Sequence, residues 1–182
     1  MKASHVAAML AASVALYSGA ASSAERRVGI GTVNAITQFH DVSHHRISYS
    51  HPWSSEPGTS AWYPEMIRVS MGLLWRNGEH ARLYSAGPVW RWKATKLNCN
   101  CYLEAGLGAG FLSNPIFHNP RNGEYQNFGN RLQFVTNGGL VWVLGDSQEW
   151  ELAFGLQHIS NGGIGQVNPG ADFVGIDIYR RF

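Results

Sequence analysis

Charge is scarce in this chain, and long apolar runs are missing from nearly all of it. Only 14% of the residues are Asp, Glu, Lys or Arg, and Lys and Arg nowhere cluster into a block. Nucleic acid is therefore not an expected partner. Beyond residue 24 no apolar stretch approaches the roughly 20 residues that a membrane-spanning helix needs. Cysteine is limited to Cys99 and Cys101, too few and too close for a disulfide framework or a zinc site. A bridge between them would close a very tight ring, so the pair is read as structural, or as a minor redox feature of a turn. The histidines are scattered, and even His44-His45 lacks metal-ligand spacing; solvated loop positions are the expectation. No metal or organic cofactor is called for. There is also no G-x-S-x-G elbow, which argues against a soluble α/β-hydrolase.

What is present begins with an export signal. Lys2 precedes an apolar stretch from Val6 to Tyr17, and the small-residue run from Gly19 to Ala24 offers a cleavage site before Glu25. Residues 1–24 are read as a signal peptide and residues 25–182 as one domain. That domain is rich in Gly (21 in the chain) and Trp (7). Aromatic residues without a helical span suit a transmembrane barrel with interfacial girdles, although a secreted β-sandwich would share this composition.

The hydropathy pattern separates the two. Eight segments, bounded by turn residues, run over 28–37, 46–53, 62–75, 82–92, 101–113, 131–144, 149–160 and 172–182. Ile67, Val69, Met71, Leu73 and Trp75 alternate with Arg68, Ser70 and Gly72; Leu103, Ala105, Leu107, Ala109 and Phe111 alternate with Glu104, Gly106, Gly108 and Gly110. A period of two marks strands with one apolar and one polar or small face. Only a closed barrel satisfies every backbone group of such strands in lipid. The expected fold is all-β: an eight-stranded antiparallel transmembrane β-barrel of the bacterial outer membrane. Glu104, Glu151, Asp177 and Arg181 are expected to form structural ion pairs in its packed interior. The terminal strand has Val174, Ile176, Ile178 and Phe182 on one face. It resembles the signal that the barrel assembly machinery reads on outer-membrane barrels. The short link at 145–148 should be periplasmic, and the longer links around 114–130 and 161–171 extracellular. Arg46, Arg76, Arg82 and Arg121 lie near the expected outer ends, as solvated loop charges or as contacts for lipid A phosphates.

Chemistry concentrates in Gln157-His158-Ile159-Ser160-Asn161-Gly162-Gly163 and in Asn168-Pro169-Gly170-Ala171-Asp172. His158 and Ser160 are two apart, so on a strand both point to one face, with Cα atoms roughly 6–7 Å apart. Asp172 opens the next strand of an antiparallel hairpin and can approach His158. A hydroxyl, an imidazole and a carboxylate are the parts of a serine esterase. Parity places all three beside the apolar rows Trp150, Leu152, Phe154, Leu156 and Val174, Ile176, Ile178, hence on the lipid-facing wall near the extracellular rim. Polar groups are costly there, and a site on that wall calls for a membrane lipid as substrate. The acyl esters of lipid A are the nearest candidates.

These two stretches resemble the signature of the outer-membrane lipid A 3-O-deacylases of PagL type: His-x-Ser-Asn, then a second Asn, then an acidic residue. The rest of the exported chain resembles them loosely, through strand count and around Leu132-Gln133-Phe134. The resemblance implies that Ser160 is the nucleophile, His158 the base and Asp172 the orienting acid. It further implies that Asn168 helps hold the oxyanion, with Asn161 and the backbone N–H groups of Gly162 or Gly163 as further candidates for oxyanion or substrate binding. Ordinary turn chemistry is the competing reading for Asn161, Gly162, Gly163 and Gly170. The sequence departs from the pattern at Asp172, where Glu is expected. The implied partner is lipid A within lipopolysaccharide of the outer leaflet; monomer and homodimer both stay open. Competing functions are a non-enzymatic structural or adhesin-like barrel, and another lipid-modifying barrel such as a phospholipase or an acyl transferase.

Overall fold

The computed structural model describes residues 26–37, 41–53, 63–118, 123, 125–164 and 167–182; the expected signal peptide lies outside them. The strands are β1 (Arg27–Ala35), β2 (Ser43–Pro52), β3 (Met66–Arg76), β4 (Glu79–Lys93), β5 (Cys101–Leu112), β6 (Ile116–His118), β7 (Tyr125–Asn127), β8 (Leu132–Leu144), β9 (Trp150–Ser160) and β10 (Ala171–Arg181). Eight of them close an antiparallel barrel in the order β1-β10-β9-β8-β5-β4-β3-β2. Closure by β1 against β10 leaves no edge strand, the condition for a sheet to survive in lipid.

Alternation is obeyed around the wall. Ile30, Val69, Met71, Leu103, Leu107, Phe154, Leu156, Ile176 and Ile178 are exposed on the outside, the face a bilayer would cover. Trp75, Tyr84 and Phe111 stand toward one end of this belt, and Trp53, Trp92 and Trp150 toward the other, as aromatic girdles do. The barrel is of the outer-membrane type. β1 starts and β10 finishes at the second end, where the backbones of Arg26 and Phe182 exchange hydrogen bonds of 3.0 Å. That end is the periplasmic one by the usual orientation of such barrels, and the link at 145–149 is there. The links at 113–131 and 161–170 are at the opposite, extracellular end. β3 and β4 meet there too, in a two-residue Asn77-Gly78 turn with positive φ at both positions, a typical hairpin connection.

The interior divides into two layers. Toward the extracellular mouth, Val33, Val42, Leu74, Leu83, Leu112, Phe117, Phe128, Val135, Ile159 and Phe173 form an apolar plug. Phe117 and Phe128 come from the 113–131 link, which holds the short hairpin β6–β7 in addition to loop. Toward the periplasm the inward residues are charged. Arg27 donates to Glu151 at 2.7 Å and to Glu104 at 2.8 Å; Arg68 reaches Glu104 at 2.6 Å, and Arg91 reaches Glu151 at 2.9 Å. Arg46 pairs with Asp177 at 2.6 Å, Arg181 lies 3.6 Å from Glu151, and the Tyr179 ring sits beside Arg27 and Arg68. Breaking a buried pair from one side leaves an uncompensated charge, at a cost of about 3–5 kcal/mol. Glu151→Ala is therefore expected to lower barrel stability by about that amount, read from urea unfolding in lipid vesicles. An unchanged midpoint would contradict the assignment.

Three sequence expectations are corrected. Arg46 and Arg76 are not outer-end charges open to solvent: inward parity puts Arg46 on Asp177, and Arg76 is buried with Asp41 at 3.3 Å. Arg82 is exposed as expected, and Arg121 lies outside the described residues. His44 and His45 are strand residues rather than loop residues, because β2 begins at Ser43. His44 points inward to Gln157 at 2.7 Å, while His45 points outward to Thr32 at 2.9 Å. Cys99 and Cys101 are joined by a disulfide, with Cα atoms 5.3 Å apart. It follows the 3-10 turn Thr95–Leu97 in the link from β4 to β5, where a bend rather than extended strand brings the two sulfurs together.

Candidate active site

β9 and β10 pair in a register that sets Asp172 directly across from His158. Side chains so opposed share a face with Cβ atoms about 4.5–5.5 Å apart. The face is the outer one: their neighbours Phe154, Leu156 and Ile176 are exposed, whereas Gln157, Ile159, Ala171 and Phe173 of the opposite parity are buried. His158 Nδ1 lies 2.7 Å from Asp172 Oδ1, and both side chains are nearly half exposed. A carboxylate can only accept, so Nδ1 carries the proton and Nε2 is left as the basic nitrogen. The backbone N–H of Asp172 donates to Thr37 Oγ1 at 3.2 Å, fixing the start of β10 beneath the carboxylate.

Ser160 is the last residue of β9, half-buried, on the same outward parity as His158. Among the described residues no hydrogen bond joins Ser160 to His158. Such bonds often tighten only when substrate is bound. On the far side of β9, β8 contributes Phe134 opposite Ser160 and Thr136 opposite His158. Neither is discernible in the sequence as a neighbour of the site, since cross-strand register cannot be read from one strand's alternation.

The loop after β9 treats its candidates unequally. Asn161 has inward parity and is fully buried. Its Nδ2 donates to the carbonyls of Val167 (2.7 Å) and Phe128 (3.3 Å), and its Oδ1 accepts the N–H of Gly163 at 3.0 Å. Its side chain and the Gly163 N–H are thus committed within the loop. The N–H of Asn161 donates to Asn168 Oδ1 at 3.0 Å. Asn168 is exposed in the loop beyond the Ser160 end of β9, and with its Oδ1 engaged its Nδ2 is the side-chain atom that can donate. Gly162, at φ +62°, lies against the Phe134 ring; a Cβ there would meet it at 2.6 Å.

Gly170 packs close against the imidazole. Its φ is +63°, and a Cβ would come 3.0 Å from His158 Cε1 and 3.6 Å from Nε2. The left-handed backbone and the crowding both demand glycine. Gly170→Ala is expected to assemble normally yet lose about 10- to 100-fold in esterase rate, since a misplacement of about 1 Å at a reacting group costs that much. Initial rates on a lipid A substrate test this, and a wild-type rate would rule out the packing argument.

Among the described residues no group of His, Cys, Asp and Glu is arranged to hold a metal ion. Fold and site together define a class: a small outer-membrane-type barrel that carries a hydroxyl, an imidazole and a carboxylate on its lipid-facing wall. A sequence model of the family "Lipid A 3-O-deacylase (PagL)" matches residues 43–179. The lipid A deacylase PagL of Bordetella bronchiseptica (strain ATCC BAA-588 / NCTC 13252 / RB50) is 32% identical over 127 residues, 70% of this chain. The chain belongs to this family. The match spans 61% of that relative's own length. In fold, the chain is similar to the crystal structure of the outer membrane enzyme PagL, with a TM-score of 0.58, 19% identity, and coverage of 85% of this chain and 98% of that one. It is also similar to the N-terminal β-barrel domain of Pseudomonas aeruginosa OprF, with a TM-score of 0.52, 10% identity, and coverage of 87% and 97%.

Proposed function

We propose that this protein hydrolyses the ester that links an acyl chain to the 3-position of lipid A, with Ser160 as nucleophile, His158 as base and Asp172 as the orienting acid. The observation that carries the reading is the 2.7 Å bond between His158 and Asp172 on the outer wall. A charged or hydrogen-bonding pair facing lipid serves no packing purpose, and it stands where the ester of an outer-leaflet glycolipid would lie. Ser160 attacks the carbonyl carbon as His158 Nε2 takes its proton. The resulting oxyanion accepts a hydrogen bond from Asn168 Nδ2, with the Gly162 N–H as a second donor. Collapse breaks the bond to the sugar oxygen, which receives the proton from His158. Water then attacks the acyl-serine, again losing a proton to His158, and releases the fatty acid with Ser160 restored. Residues 1–24 direct export in this reading, and the strand ending at Phe182 is the part that barrel assembly machinery recognises.

The test is direct. Lipid A and phospholipid from vesicles incubated with the purified barrel are compared by mass spectrometry. Loss of one hydroxyacyl chain from lipid A, with phospholipid intact, is expected. Cleaved phospholipid with intact lipid A would instead favour the phospholipase, and no change in either would leave a barrel without this chemistry.

A further inference from the structure

The 113–131 link approaches the loop that carries Asn168 more closely than any side chain would allow. Gly129 has φ +85°, and a Cβ built on it would fall 1.8 Å from the Val167 carbonyl oxygen and 2.3 Å from Asn161 Nδ2. Val167 immediately precedes Asn168 in the chain. The same Asn161 amide bridges the two links, donating to Phe128 O on one side and Val167 O on the other. From its backbone N–H, Asn161 also holds Asn168 Oδ1. Phe128 is itself immobilised: its ring is buried in the plug against Phe117, and its N–H donates to Pro115 O at 2.8 Å. Gln133 adds a donor to Phe128 O from inside the barrel at 3.3 Å, and the N–H of Gly129 donates to Asn127 Oδ1 at 2.8 Å. A rigid part of a sequence-distant loop thus abuts the residue next to Asn168.

We propose that Gly129 is a positioning residue for the esterase reaction: its bare backbone lets the 113–131 link seat against Val167 and, through Asn161, aim the Asn168 amide at the oxyanion. This rests on the esterase reading above and adds a residue that touches neither substrate nor the reacting atoms. A side chain at Gly129 displaces Val167 and turns Asn168 away. It leaves Ser160, His158 and Asp172 in place, because His158 and Asp172 are held across from each other by the β9–β10 ladder and Ser160 is held by the β8–β9 ladder opposite Phe134.

The experiment is a double-mutant cycle in the full barrel, assayed on purified lipid A in detergent micelles. Loss of one oxyanion donor costs about 10²–10³ in kcat, so Asn168→Ala sets the scale. Gly129→Ala is expected to lower kcat about 10-fold or more while KM stays within about 2-fold, the pattern of an interaction made only in the transition state. In the Asn168→Ala background the same substitution is expected to cost less than about 2-fold, because two changes acting through one group are not additive. Heat-modifiable gel mobility verifies that each variant forms the barrel. If Gly129→Ala does not, Asn161→Asp replaces it in the cycle; that change removes the donors to both carbonyls at nearly constant shape. A kcat for the substituted barrel within 2-fold of wild type, or an equal loss in both backgrounds, overturns the inference. Lipid A left intact by the wild-type barrel overturns the esterase reading itself, so the two failures are told apart.

Discussion

Ser160→Ala is expected to leave lipid A with all of its acyl chains while the barrel still folds and reaches the membrane. The expected fall in kcat is at least about 10⁴-fold, since removing the nucleophile of a serine hydrolase abolishes the covalent route and leaves only the remaining binding and oxyanion contributions. Assembly should be unaffected because Ser160 ends β9 with its side chain on the outer wall, outside both the apolar plug and the charged layer. Mass spectra of lipid A read the chemistry, and heat-modifiable mobility reads the fold. Turnover that persists in the folded variant would remove Ser160 from the mechanism.

Asp172→Asn is the second large effect. In the native arrangement the carboxylate accepts from His158 Nδ1 at 2.7 Å and so leaves Nε2 unprotonated. An amide in that place can donate to Nδ1 and favour the opposite tautomer, whose Nε2 already bears a proton and cannot take one from Ser160. A loss of about 10⁴ in kcat follows for such a tautomer error in a serine triad. Asp172→Glu sharpens the test. The family signature carries Glu at this point, so the longer acid is expected to keep most activity, provided the imidazole can shift by a methylene's length. An Asn variant that is as active as wild type would show that Asp172 does not orient the imidazole.

Most of the architecture was legible because membrane barrels impose a simple rule on sequence. Each of the eight expected segments overlaps one barrel strand, and the alternation in 67–75 and 103–111 assigns the right residues to each wall. The outward parity of His158, Ser160 and Asp172 was legible for the same reason. What escaped depends on contacts between strands or on bends. The β6–β7 hairpin has three residues in each strand, too few to express a period. Arg46, a few residues into β2, and Arg76, the last residue of β3, read as outer-end charges from sequence, yet parity and the partners Asp177 and Asp41 draw them inward. Phe134 and Thr136 became neighbours of the site only through the register of β8 on β9. Asn161, grouped by motif with the substrate-contacting residues, faces the interior and serves the loop.

The two interior layers also matter for the cell. A stopper of hydrocarbon side chains at the mouth and a lattice of guanidinium and carboxylate groups below it fill the bore at both levels. Bacteria can therefore accumulate this protein without acquiring a leak, and a reconstituted planar bilayer should hold its resistance against ions and small sugars. Whatever passes the protein must travel along its outside.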